Sequence, residues 1–298
     1  MLKQIGEFGL IARLNKSVAT DKSVIRGIGD DCAVIAHTPD KYLLFTTDML
    51  VEGVHFSQRA ATFTQIGRKA LAVNISDIAA MGGIPKYAVI SLALPKRISV
   101  RRAENIFRGI NTLADQFGIN IVGGDTVRSN KIVISIAMIG EVKKRDLTLR
   151  SGAQIGDLIF VTGHLGGSRR LRQFNFIPRI EEAQKLVKGF KPRAMIDLSD
   201  GLAADLKRIA KASQVGALIF AELIPLSRGC SLNSALFDGE DFELLFTLSL
   251  DAARKFYRKK IKFPVSCIGK IVQRKRGLAI IDKKSKLRPL PDKSFKHF

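Results

Sequence analysis

A mixed α/β fold is what this 298-residue sequence predicts, and three observations predict it. Short apolar, β-branched runs bounded by turn residues recur along the chain. Longer stretches with apolar residues at three- and four-residue spacing lie between them. Hydrophobic residues make up 46% of the chain, enough to bury a sizeable core and to exclude global disorder.

In chain order, Tyr42–Thr47 reads as the first strand. Ile66–Met81 follows as a helix, with apolar residues on a helical period. Tyr87–Leu94 is a second strand, Glu104–Phe117 a second helix, and Ile119–Val122 and Ile132–Ile139 two further strands. The polar, glycine-containing stretch 143–156 marks a junction and divides the chain into domains at 1–142 and 143–298. Beyond it, Leu158–Thr162 reads as a strand, Leu202–Ala212 as a helix that Ser199 or Asp200 caps, and Glu243–Leu248 as a strand. No internal repeat interrupts this alternation.

Composition removes several function classes. No run approaches the roughly 18 apolar residues of a membrane span. Glu7 and Arg13 break the N-terminal segment as a signal peptide, so the expectation is a soluble cytoplasmic protein. Cys32, Cys230 and Cys267 are isolated, without the pairing that a disulfide framework or structural zinc requires. The net charge is +22, and the last 48 residues alone carry 16 basic against 3 acidic side chains. With no Trp, three Tyr and no zinc-finger spacing, that excess reads as a solvated basic surface before it reads as a nucleic-acid interface.

Acids are scarce, so their placement is informative. Asp30 and Asp31 follow a Gly-Ile-Gly turn, and Asp48 ends the first strand. Asp77 lies within a helix among Ile75, Ile78, Ala79 and Met81. Asp125 follows Gly123 and Gly124 at another strand end. Asp197 and Asp200 precede a helix, and Glu240 and Asp241 precede the last strand. Taken singly, each has an ordinary explanation in turn chemistry or capping. Asp77 is different: aspartate is a poor helix-interior residue, and in apolar surroundings it needs a partner, either a bound ligand or an Arg such as Arg68. Together, acids at strand ends and helix starts point to a ligand site of an α/β fold. Converging carboxylates repel by about 4 kcal/mol per pair at 4 Å and an effective dielectric near 20. Divalent cations remove that repulsion, and oxygen donors without His or Cys favour Mg²⁺ bridged to substrate phosphates. Neither a Walker loop nor the protein-kinase motif set is present.

These motifs, in this order, resemble the thiamine-monophosphate kinase family, within the aminoimidazole ribonucleotide synthetase superfamily. The resemblance rests on Gly27–Val34, Thr46–Phe56 and Lys69–Gly82, then Gly123–Thr126, Arg150–Ala153, Ile196–Gly201 and Gly239–Leu244. It implies a two-domain fold whose N-terminal sheet forms a barrel with a second subunit. It implies ATP-dependent phosphorylation of thiamine monophosphate. By position it assigns Asp30, Asp31, Thr46, Thr47, Asp48, Asp77, Asp125, Asp197 and Asp200 to magnesium, with Asp30 either a ligand or a turn-orderer. Asp48, Asp77, Asp125 and Asp200 carry the catalytic role. Gly124, Asp125, Arg150, Ser199 and Phe107 fall to ATP, and His55, Glu240 and Phe295 to thiamine monophosphate. Gly163–Ser168 is either a phosphate-proximal loop or a plain turn. Two features depart from the family pattern: only 27 residues separate Ser168 from Ile196, and Asp238 replaces a glycine before Gly239. The competing readings are another ATP-using member of the superfamily, such as an aminoimidazole ribonucleotide or selenophosphate synthetase, and a non-catalytic basic nucleic-acid-binding protein.

Overall fold

The fold was taken from a computed structural model, which describes residues 2–168, 172–259 and 261–291. Two sheets organise it. The first contains β1 (Val24–Arg26), β2 (Ala33–Ala36), β3 (Lys41–Val51), β4 (Ile84–Leu94), β5 (Asn120–Arg128) and β6 (Val133–Lys143) in the order β1-β2-β3-β6-β4-β5. Only the β4–β5 pair is parallel, because helix α3 (Val100–Phe117) crosses between those two strands. The second sheet contains β7 (Leu158–Thr162), β8 (Ala194–Asp197), β9 (Gly216–Phe220), β10 (Leu244–Leu248), β11 (Val265–Val272), β12 (Leu278–Ile281) and β13 (Leu287–Pro289), ordered β13-β12-β9-β11-β7-β10-β8. The remaining helices are α1 (Leu2–Asn15), α2 (Phe63–Ala80), the single turn α4 (Gln173–Asn175), α5 (Ile180–Gly189), α6 (Leu202–Ser213), α7 (Leu232–Phe237) and α8 (Leu250–Arg258). Among the described residues no helix is long and apolar enough to cross a membrane.

Helix α2 joins the two halves. Thr62 and Gln65 close a capping box at its start. Its buried residues run nearly all the way round, as expected of a helix packed on every side. One flank meets α3 at unusually short range. A Cβ on Gly67 would come within 1.9 Å of the Ile106 carbonyl, and one on Gly109 within 1.9 Å of the Thr64 carbonyl. The other flank meets α4, α5 and β8. One core therefore runs from Leu44, Ile134 and Ile136 of the first sheet through Ile75 and Ile78 to Phe160, Met195 and Phe246 of the second. Alternate residues of the same second-sheet strands, Ile159, Val161, Ile196 and Leu245, pack against Leu206 and Ile209 of α6 in a separate core.

The opposite face of the first sheet is open. Phe45, Met49, Tyr87 and Val89 stand exposed on it. Strands β3 and β5 both run past the ends their sequences suggested, so Asp48 and Asp125 lie inside strands rather than at their termini. Helix α6 begins at Leu202 as expected, but Gly201 is its cap residue and neither Ser199 nor Asp200 caps it.

Candidate active site

Four segments bring the acids together. The loop between β1 and β2 supplies Asp31, β3 supplies Thr46, Thr47 and Asp48, α2 supplies Asp77, and the end of β8 with the following turn supplies Asp197, Ser199 and Asp200. All of these line one cleft of about 500 Å³, with Arg150, Arg208, His55 and Glu240. Carboxylate oxygens of Asp31, Asp77 and Asp197 lie within 4.8 Å of one another.

Neighbouring polar groups fix each acid. Thr46 Oγ1 donates to Asp77 at 2.6 Å, and Ser76 Oγ donates to Asp197 at 2.6 Å. Asp48 is set through its backbone, whose N–H donates to Asn74 Oδ1 at 3.1 Å. Arg150 donates to Asp31 Oδ1 at 2.7 Å, while Asp31 Oδ2 is buried with no hydrogen-bond partner among the described residues. Arg68 is not the partner of Asp77: its guanidinium bonds the carbonyls of Phe174 and Phe176. Asp30 orders the turn, accepting from the N–H groups of Asp31 and Arg150.

Burial and mutual repulsion hold these groups toward the protonated form. Burial, then Asp48, Asp197 and Asp31, raise Asp77 well above the usual carboxylate range. Burial and Asp31 do the same for Asp197. Burial pushes Asp30 and Asp48 up to about 6 and Asp205, on α6, to about 7. A carboxylate with a raised folded-state pKa binds its proton more tightly folded than unfolded. Its stabilising contribution is complete below the unfolded value near 4 and is lost as pH rises through 6 to 7. In chelator, the thermal midpoint is therefore expected to fall between pH 5 and pH 7, and magnesium is expected to restore it. A midpoint that rises over that interval in chelator would contradict the clustered geometry.

An oxygen-only donor set with an orphaned buried carboxylate oxygen fits a hard divalent cation such as Mg²⁺.

The structure does not bring every sequence-derived residue here. Asp125 lies on the edge strand β5, and the register runs from it through Ser91 and Ser135 to Met49. Three strand spacings place it about 14 Å from β3. Gly124 backs onto β4 so closely that a Cβ would lie 1.9 Å from the Ile90 carbonyl. Phe107 packs, half-buried, against the first core. None of the three lines the cleft: β6 and β4 separate β5 from β3, and Phe107 lies on α3. Phe295 lies outside the described residues. The turn 163–168 is tied to the protein itself, with the Gly166 N–H donating to buried Asp241.

Sequence reasoning passed over Asn74, Ser76, Lys69, Asp205 and Arg208. Arg208 pairs with both Asp200 and Asp205, and the three-residue spacing of Asp205 and Arg208 on a helix was a readable signal.

A family model described as AIR synthase related protein, N-terminal domain, matches residues 29–142. The thiamine-monophosphate kinase of Bacillus subtilis is 34% identical, over 98% of this chain and 99% of its own. That of Buchnera aphidicola from Acyrthosiphon pisum is 36% identical over 98% of both. A solved structure described as AaThiL complexed with AMPPCP and TMP superposes with a TM-score of 0.86, at 34% identity, over 100% of this chain and 99% of that one. With likeness of this order along its whole length and the acidic cleft in place, the chain belongs to the thiamine-monophosphate kinase family.

Proposed function

We propose that this protein transfers the terminal phosphoryl group of ATP to thiamine monophosphate, giving thiamine diphosphate, in a magnesium-dependent reaction. The convergence of Asp31, Asp77 and Asp197 within 4.8 Å carries this reading, together with family membership.

Asp31, Asp48, Asp77, Asp197 and Asp200, with Thr46 and Thr47 beside them, would hold magnesium, whose charge would neutralise the phosphates and lower the barrier to one anion attacking another. The acceptor phosphate is mostly a dianion at neutral pH and needs no base to activate it. The residues therefore position and neutralise. Arg150, anchored on Asp31, and Ser199 present a guanidinium and a hydroxyl to the phosphate side of the cleft. His55 accepts the Val51 N–H at Nδ1, which makes Nε2–H its donor on the acceptor side, where Glu240 also stands. Gly124, Asp125 and Phe107 are assigned to the nucleotide by family resemblance alone. Transfer is direct, since among the described residues no His or Ser is set up as an activated nucleophile.

The exposed Phe45, Met49, Tyr87 and Val89 support a homodimer closed through the open face of the first sheet. Division at residues 142 and 143 and a cytoplasmic location complete the reading.

The test is thiamine diphosphate formation from purified protein, ATP, Mg²⁺ and thiamine monophosphate, with free thiamine as a parallel acceptor. Product from the monophosphate alone is expected. Absence of product from both, with ATP still bound, would move the activity to a sister member of the superfamily.

A further inference from the structure

Lys69 has the least ordinary surroundings of any cation among the described residues. It sits on α2 with its side chain fully buried, where desolvation of an ammonium costs several kcal/mol unless it is well paired. An apolar side chain would pack there without that cost. Its three acceptors come from three separate segments: the His55 carbonyl at 2.9 Å, Glu240 Oε1 at 2.5 Å, and Gln173 Oε1. The ring of Phe174 lies 5.1 Å from the ammonium.

Those three segments are the walls of a second cleft, of about 270 Å³, lined by His55, Phe56, Gln173, Phe174 and Glu240 among others. It shares Val54, His55 and Glu240 with the acidic cleft, so the two adjoin. The Glu240 turn is also strained. Glu240 and Phe242 both take left-handed backbone angles, with φ of 57° and 49°. Such conformations persist in non-glycine residues only where the surroundings over-determine them. The Glu240 N–H donates to the Ser199 carbonyl at 2.8 Å, which ties the turn to the acidic cleft, and Lys69 ties it to the His55 loop.

We propose that Lys69 is the positioning residue of the acceptor site, holding the His55 loop, Gln173 and Glu240 in one fixed arrangement against the acidic cleft. The assignment rests on the phosphotransfer reading for the identity of the acceptor, but the positioning itself does not depend on it. None of its hydrogen-bond partners is one of the clustered acids Asp31, Asp48, Asp77, Asp197 and Asp200. Its effect falls on acceptor binding and spares the nucleotide.

Lys69→Met keeps the length and removes the charge. Steady-state kinetics are expected to show the KM for thiamine monophosphate raised by about tenfold or more, with the KM for ATP within about twofold of wild type. Glu240→Gln combined with Lys69→Met should raise the acceptor KM by less than the product of the two single effects, since the two side chains are paired. Hydrogen exchange on the full-length protein without substrate gives a second readout. Amides of Gly53, His55 and Glu240 should exchange faster in Lys69→Met, while those of residues 70–80 in α2 stay protected. Equal shifts of both KM values, additive effects, unchanged exchange at these loops, or loss of protection along all of α2 would each overturn the proposal. If the wild-type protein does not phosphorylate thiamine monophosphate, the functional reading falls, and the exchange result alone decides the role of Lys69.

Discussion

An Asp77→Asn protein is expected to melt higher than the wild type in chelator, yet to turn over about a thousandfold more slowly with magnesium and ATP. Both effects have one origin. Asp77 is crowded by Asp48, Asp197 and Asp31, and burial adds to their repulsion. At neutral pH the wild type either keeps a proton on this cluster or tolerates like charges at close range, and each option costs stability. The amide removes one charge and still accepts the Thr46 hydroxyl bond. The same charge is what a divalent cation would require. Since the folded-state pKa is raised, the advantage of the variant should be small near pH 4 and grow as pH rises toward 8. Thermal melts across that range, paired with turnover assays, test the sign. A variant that melts lower than wild type at pH 8 in chelator, or one with near-wild-type turnover, would overturn the metal-cluster reading.

Glu243→Gln is expected to cost about 3–5 kcal/mol of stability, lowering the thermal midpoint by about 5–8 °C. Glu243 is almost fully buried and accepts from Thr162 at 2.7 Å, from Arg179 through a two-pronged pair of bonds at 2.7 Å each, and from Arg172. The amide preserves shape but leaves two largely buried guanidiniums facing a neutral group. Both arginines belong to the short stretch between Ser168 and Ile196, so this one carboxylate anchors the segment that departs from the family pattern. Chemical denaturation of the two proteins measures the loss. A change below about 1 kcal/mol would mean that the network is no stronger than a surface ion pair.

What the sequence made legible follows from burial. Leu158–Thr162 was read to the residue because a central strand buried on both faces is a continuous apolar run. The three- and four-residue strands β1, β2, β8, β12 and β13 carry too little pattern to detect. Asp48 and Asp125 looked like strand ends because acids break apolar runs, yet β3 tolerates one beside a cleft and β5 one on an open edge. The acids of the cleft were legible because the chain holds so few. Their cationic partners were less so: among 49 Lys and Arg residues, Arg150 stands out only through the family motif and Arg208 only through its spacing from Asp205, and nothing local singles out Lys69. Such pairings depend on which segments the fold brings face to face.

The close seam between α2 and α3 has a consequence for how the enzyme keeps its dimensions. Carbonyls of Ile106 and Thr64 press against Gly67 and Gly109, so α2 cannot slide or roll on its neighbour without collision. Along this locked helix, Lys69, Val73 and Asp77 follow one another at four-residue steps, a single row that spans about 12 Å of axis. One end of the row grips the proposed acceptor wall and the other joins the acids. The helix thus serves as a ruler. It sets the gap between the proposed acceptor wall and the clustered acids by counting residues, and one inserted residue between Lys69 and Asp77 would swing the ends about 100° out of register.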